Sequence, residues 1–77
     1  MRRLYWDFYG ARANGTADHF RIHLDDFISK LEFADCKTGL DVYTPAHSAA
    51  WCDAPDTACD VLVTRLRPHR ADRIEDA

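Results

Sequence analysis

The stretch that decides the fold is Leu-Tyr-Trp-Asp-Phe-Tyr, residues 4–9. It holds four aromatic residues, out of two Trp, three Tyr and four Phe in the whole chain, and aromatic side chains favour β-strands. Because successive side chains of a strand point to opposite faces, this segment has one apolar face and one mixed face. The apolar face carries Leu4, Trp6 and Phe8, and the mixed face carries Tyr5, Asp7 and Tyr9. The pattern predicts a central strand with a core on one side and an aromatic, partly polar surface on the other.

Length and composition restrict the class of protein. The 77 residues make one domain, near the size at which a single core is marginally sufficient. No apolar run is long enough for a transmembrane helix, and Asp7 interrupts the first apolar stretch, which argues against a signal peptide. Three cysteines, an odd number without a dense framework, favour a reducing compartment. We therefore expect a cytoplasmic protein with no membrane association.

The net charge of −3 is unevenly distributed. Residues 18–60 contain nine acidic and three basic side chains, so this block carries a net charge of −6, whereas arginines collect towards both ends. An acidic body repels phosphate backbones, which disfavours a nucleic-acid surface. The segment His-Ser-Ala-Ala-Trp-Cys-Asp, residues 47–53, also lacks the basic-glycine-aromatic signature of RNA-recognition modules.

Two amphipathic helices are predicted from apolar spacing. The first covers residues 17–31, with Thr16 as its N-cap. The second begins after Asp-Ala-Pro-Asp, residues 53–56, where Asp53 could act as the cap, and ends near Arg67 because Pro68 follows. The predicted core positions are Phe20, Leu24, Phe27, Ile28 and Leu31 in the first helix and Cys59, Leu62, Val63 and Leu66 in the second.

Two further strands lie between the helices. Residues 39–44 alternate so that Leu40 and Val42 face the helices, and residues 48–53 pair with them across a turn at residues 45–47. The order β-α-β-β-α, with an optional final strand, predicts an α+β fold of the split β-α-β, ferredoxin-like type, with an antiparallel sheet and two helices on one face. Residues 1–67 form the single domain, and residues 68–77 are a short edge strand or a flexible C-terminal tail.

The face of the sheet opposite the helices is the first candidate functional surface. It should carry Tyr5, Asp7, Tyr9, Asp41, Tyr43 and Trp51. Two copies meeting through this face would bury eight rings, on the order of 16 kcal/mol as an upper bound, against an association cost of ~4–15 kcal/mol. We therefore expect a homodimer. The alternatives are a small aromatic or sugar-like ligand on the same face, or rings that are simply half-exposed.

A second candidate is a divalent-metal site on the first helix. His19 and His23 are four residues apart and share a face, and Asp26 follows one turn later. Such a set can hold a metal with open positions. The alternative is a pair of solvated histidines beside the apolar stripe.

A third candidate is an anion-binding loop. Gly10, Arg12, Gly15 and Thr16 have the Gly-x4-Gly spacing and final Thr of a phosphate loop that follows a strand, but the lysine before the Thr is missing. Backbone N–H groups and Arg12 could still hold a small anion. The alternative is a loop whose glycines only make the turn.

No convincing set of catalytic residues is present. Cys52 could act as a nucleophile with His47 as its base, but no third group orients them, and structural cysteine is the simpler interpretation. The sequence thus predicts a non-enzymatic binding or accessory domain that self-associates, with a small-ligand or metal-binding protein as the alternative. It indicates no cofactor.

Overall fold

The computed structural model describes residues 1–74 and shows a four-stranded antiparallel sheet with two helices. The elements are β1 (Arg2–Tyr9), α1 (Ala13–Lys30), β2 (Lys37–Thr44), β3 (His47–Ala54), α2 (Asp56–Leu66) and β4 (Arg70–Arg73). The strand order is β2-β3-β1-β4, with each neighbouring pair antiparallel. This is the ferredoxin-like β-α-β-β-α-β arrangement, and the predicted fold class is confirmed. Neither helix is long and apolar enough to cross a membrane.

Strand β1 is central, and its alternation positions the core. Leu4 pairs with Cys52 and Trp6 with Ala50, and all four side chains are buried. The rings of Trp6 and Phe8 lie 5.1 and 5.6 Å from the ring of Phe20 in α1. The apolar face of β1 therefore packs beneath the helices, as the alternation predicts.

Helix α1 begins at Ala13, four residues before the predicted start. The N-cap position is occupied by Arg12, which makes no side-chain capping bond, so the prediction of Thr16 as N-cap was wrong. Ala13 and Ala17 are buried, and burying their small side chains favours an earlier start than the Asn-Gly pair at residues 14–15 suggests. The turn before the helix is made by Gly10, which has a φ of 108°.

Helix α2 begins at Asp56 after Pro55, again without a side-chain cap. The predicted cap, Asp53, instead forms an ion pair with Arg3, so that prediction was wrong. At the other end, the Trp6 indole Nε1 donates a hydrogen bond of 2.9 Å to the Leu66 carbonyl. This bond satisfies one of the carbonyls that a helix C-terminus leaves free, and it fixes α2 to the central strand.

Three predicted core positions, Leu31, Val42 and Val63, are exposed. Leu31 lies at the C-terminal end of α1, and Val42 belongs to the edge strand β2. In α2 the buried residues are Ala58, Cys59 and Leu62. Val63 lies one residue beyond Leu62, about 100° around the helix, and so points away from the sheet.

The segment after α2 forms an edge strand. Residues 70–73 pair with residues 2–5 of β1, and the Ile74 N–H donates to the Met1 carbonyl. The optional final strand of the predicted fold is therefore present as β4, residues 70–73. Residues 75–77 of the predicted C-terminal segment lie outside the described part of the chain.

Candidate functional site

The six residues predicted on the open side of the sheet share one face; we call this surface the open face. Tyr5 pairs directly with Trp51 across β1 and β3, and the alternation of each strand brings the others to the same side. The set is Tyr5, Asp7, Tyr9, Asp41, Tyr43 and Trp51. Four further side chains belong to it, as the contacts below show: Arg3, His47, Asp53 and Arg70.

The Asp7 carboxylate is the centre of a polar cluster on the open face. Only 8% of its side chain is exposed. Arg70 donates to both oxygens, from Nε to Oδ2 at 2.9 Å and from Nη2 to Oδ1 at 3.1 Å, and His47 Nε2 lies 2.9 Å from Oδ1. The hydrogen bonds from Arg70, and then that of His47, lower the pKa of Asp7 against the opposing effect of burial. The acid is therefore held as a carboxylate.

Arg70 also contacts two tyrosines. Its guanidinium lies 4.0 Å from the centre of the Tyr5 ring, and Nη2 donates to the Tyr43 hydroxyl at 2.7 Å. The hydrogen bond with Asp7 is the main reason that the pKa of Arg70 is raised. This one side chain therefore connects β4 to β1 and β2 across the open face.

His69, the residue just before β4 begins, continues the hydrogen bonding of β1 beyond the end of its pairing with β4. The backbone N–H of Asp7 donates to His69 Nδ1 at 2.8 Å, and the His69 N–H donates to the Tyr5 carbonyl at 2.8 Å. Pro68 precedes it and has no N–H to offer. The imidazole thus takes the place of the backbone carbonyl that a paired strand would offer to the Asp7 N–H. These two hydrogen bonds hold residue 69 against β1, and Arg70 follows it directly in the chain.

A second charge pair covers Trp51. Arg3 donates to both oxygens of Asp53, at 2.6 and 2.9 Å, and its guanidinium lies 3.9 Å from the Trp51 ring. The indole Nε1 donates to Asp41 Oδ1 at 3.2 Å. The indole also lies over Gly39, where an added Cβ would overlap it. Trp51 is therefore a fixed part of the open face.

Three rings pack against one another at the end of the open face that lies away from Arg3 and Asp53. The Tyr9 and His47 rings lie 4.3 Å apart and within 16° of parallel, and the Tyr43 and His47 rings are 4.7 Å apart with a tilt of 42°. Tyr9 is 72% exposed and Tyr43 is 45% exposed. Tyr5, by contrast, is buried. The apolar surface that a partner could still cover on this face is therefore concentrated at Tyr9 and Tyr43.

Sequence reasoning missed the partners that organise this face. Arg3 precedes the predicted strand, and Arg70 lies in the segment for which a strand and a tail were both open. The only signal for Arg3 was the alternation itself, since residue 3 has the same parity as residues 5 and 7. For Arg70 no local signal exists, because its position depends on the register of β4 against β1.

On α1, the structure brings together two of the three predicted metal ligands. His19 Nε2 and His23 Nε2 lie 3.0 Å apart, and both residues are exposed. Asp26 does not join them; it forms an ion pair of 2.9 Å with Lys30. Within residues 1–74, no group of three or more His, Cys, Asp or Glu side chains is arranged to hold a metal.

The predicted anion loop is not a loop throughout. Gly15 and Thr16 belong to α1, and the Thr16 N–H donates to the Arg12 carbonyl, while the Gly10 N–H donates to Ala46. Arg12, Gly15 and Thr16 do border a shallow depression of about 510 Å³ together with His19. The helix supplies no ring of free N–H groups like that of a phosphate loop, because two of these N–H groups are already used.

Cys52 and His47 are not a catalytic pair. Cys52 is fully buried on the helix side of β3, whereas His47 contacts Asp7 on the open face. Burial raises the pKa of the Cys52 thiol, and it does the same for Cys36 and Cys59. A thiol with a raised pKa is a poor nucleophile at neutral pH, so none of the three is activated.

No family model matches the chain, and comparison with curated proteins and with solved structures gave no significant match.

Proposed function

We propose that this chain is a non-enzymatic, cytoplasmic binding or accessory module that self-associates through the open face, as a homodimer. The observation that carries the proposal is the exposed aromatic surface of Tyr9 and Tyr43, which lies beside a charge cluster that is already satisfied. Tyrosine is enriched in the buried centres of protein interfaces. A partner that covers these two rings removes apolar area from water without having to break an ion pair.

The charges of the open face support a second copy as the partner. Arg70 is paired with Asp7 and Arg3 with Asp53, so two such faces can meet without a strong net repulsion. A two-fold interface requires a self-complementary surface of this kind. A nucleic acid would have to displace these carboxylates from both arginines and would also meet the acidic block at residues 18–60.

The exposed area sets the strength of association. Tyr5 and Trp51 are covered by arginine side chains within one copy, so fewer than eight rings are available. With Tyr9 and Tyr43 exposed by 72% and 45%, two copies gain about 5 kcal/mol at roughly 2 kcal/mol per fully buried ring. That value is near the lower end of the association cost of ~4–15 kcal/mol. The two rings therefore offset only the smallest association cost, and the polar contacts around them have to supply the remaining affinity of the proposed dimer, which we expect to be weak and concentration-dependent.

The cytoplasmic part of the proposal is supported by the cysteines. Cys36, Cys52 and Cys59 are all free thiols. An odd number of free thiols in a small domain fits a reducing compartment, where disulfides rarely persist.

Sedimentation velocity between about 10 µM and 1 mM tests the proposal, because self-association with a Kd of about 1 mM or tighter is visible in that range. We expect the wild-type sedimentation coefficient to rise with concentration, and the double variant Tyr9→Ser/Tyr43→Ser to remain monomeric. The matched control, Ile22→Ser/Val63→Ser, removes two exposed aliphatic side chains from the helices and should associate like the wild type. A wild-type monomer throughout, or equal association of the two double variants, would contradict the proposal.

A further inference from the structure

His19 and His23 form an exposed pair on α1 that plays no part in the proposed self-association. The two Nε2 atoms converge to 3.0 Å, and the rings are nearly perpendicular, at 78°. In the part of the chain that the structure describes, neither ring has a hydrogen bond to any other residue, so each Nε2 is committed only to its neighbour. Both side chains are exposed, and an ion can therefore reach them from solvent.

The separation of the two nitrogens matches a chelate of a particular geometry. Imidazole nitrogens bind divalent transition metals at about 2.0–2.1 Å. Two ligands at 90° around such an ion are then about 2.8–3.0 Å apart, whereas two ligands at a tetrahedral angle are about 3.3–3.4 Å apart. The Nε2–Nε2 distance in the metal-free chain is also that of a hydrogen bond between the two rings, and it is closer to the spacing of adjacent positions in a square-planar or octahedral complex, the geometries that Cu²⁺ and Ni²⁺ adopt.

We propose that His19 and His23 chelate a divalent transition-metal ion of the Cu²⁺ or Ni²⁺ class through their Nε2 atoms, with water in the remaining positions. Imidazole suits these ions, while Mg²⁺ and Ca²⁺ require oxygen ligands. Asp26 is not a ligand, because its carboxylate is engaged by Lys30 at 2.9 Å. The depression bordered by Arg12, Gly15, Thr16 and His19 leaves space next to His19 for the water ligands.

Metal binding changes the tautomers of the pair. In the free protein, a neutral pair shares one Nε2–H between the two rings, so one ring donates and the other accepts. In the complex both Nε2 atoms bind the ion, and both rings carry their single proton on Nδ1. The neutral pair therefore releases no net proton, and the ring that was the donor moves its proton from Nε2 to Nδ1.

Titration of the full chain with NiCl₂, followed by calorimetry and by paramagnetic broadening of amide resonances, tests the site. We expect one ion per chain and broadening centred on residues 19 and 23. His19→Gln and His23→Gln should each weaken binding at least tenfold. The controls His69→Gln and Asp26→Asn should leave affinity unchanged. Affinity within twofold of wild type in both His19→Gln and His23→Gln, broadening centred elsewhere, or a tenfold loss in Asp26→Asn would overturn the two-histidine site.

Thermal unfolding gives a second readout that does not depend on locating the ion. A ligand that binds only the folded chain raises Tm by about 6–11 °C for each tenfold excess of free metal above Kd, for a domain of this size. We expect this rise in the wild type and its loss in His19→Gln/His23→Gln. Tyr9→Ser/Tyr43→Ser should retain it, because the open face lies on the opposite side of the sheet from α1. An equal rise in the histidine double variant would refute the site.

Discussion

The guanidinium of Arg70 binds both oxygens of the Asp7 carboxylate, at 2.9 and 3.1 Å, across 63 positions of the chain. Asp7 belongs to the central strand β1 and Arg70 begins the four-residue edge strand β4. All four residues of β4 are exposed, so burial of its own side chains contributes little to docking it. The bidentate pair, together with the Arg70–Tyr5 ring contact, is therefore the main side-chain attachment of β4 to the sheet.

Replacement of Arg70 by Ala should destabilise the fold by about 2 kcal/mol. Removing one partner of a fully buried pair costs ~3–5 kcal/mol because the other charge is left uncompensated, and the partial exposure of Arg70 reduces that cost. Arg73→Ala is the matched control, since Arg73 lies on the same strand and is exposed. Urea unfolding of both variants measures the difference. A loss of stability in Arg70→Ala no larger than in Arg73→Ala would show that the pair does not hold β4.

Stability should fall in acid because of Asp7. Its pKa is lowered in the folded state relative to about 3.9 in an unfolded chain. A lowered pKa stabilises the fold fully at pH values above the pKa of the unfolded chain. This contribution is lost as the pH falls through the pKa of the folded chain. We expect Asp7→Asn to be less stable than wild type at pH 7 and the difference to shrink below about pH 4. The measurement is the free energy of unfolding between pH 2 and pH 7.

The control for the acid series is Asp60→Asn, which changes an exposed carboxylate on α2. Its unfolding free energy should follow the wild-type pH curve closely. If the difference in unfolding free energy between wild type and Asp7→Asn stayed constant down to pH 2, the Asp7 carboxylate would not be the titrating group.

Gly39→Ala should destabilise the chain, although alanine is usually the better residue inside regular structure. The new Cβ would overlap the indole of Trp51. Displacing that ring would disturb its hydrogen bond to Asp41 and its contact with Arg3. Overpacking of this kind costs ~1–3 kcal/mol. Trp51 fluorescence and urea unfolding would report both effects.

Gly15→Ala is the matched substitution for Gly39→Ala. Gly15 lies within α1, and no atom is near the position of its missing Cβ. Alanine is favoured over glycine in a helix by up to ~1 kcal/mol, so this variant should be more stable than wild type. Equal stabilities of the two alanine variants would exclude the proposed contact between Gly39 and Trp51.

The faces of the sheet could be predicted from the sequence because side-chain alternation depends only on position along each strand. Trp6 was predicted beneath the helices and Trp51 on the open side, and both lie there. The start of α1 could not be predicted in the same way. Asn14 and Gly15 resemble a turn, and only the burial of Ala13 and Ala17 against the rest of the fold overrides that local preference.

The charge cluster of the open face could not be predicted for a related reason. The segment Arg-Ala-Asp-Arg, residues 70–73, has no apolar alternation that would identify it as a strand. Its register is set by backbone pairing with β1 and by the contacts of Arg70 with Asp7. Those contacts join residues that are far apart in the chain, and no spacing rule within the sequence relates them.

Ser48→Ala should stabilise the protein. The Ser48 hydroxyl is fully buried on the helix side of β3, and Oγ has no hydrogen-bond partner within residues 1–74. A buried polar group without a partner costs ~1–3 kcal/mol. Alanine removes the hydroxyl and leaves only a small void, so we expect a gain of about 1 kcal/mol in the free energy of unfolding, measured by urea denaturation. Ser29→Ala, at an exposed position of α1, corrects for the generic effect of losing a serine hydroxyl. A Ser48→Ala variant less stable than wild type would mean that the hydroxyl has a partner in solution, such as a buried water molecule.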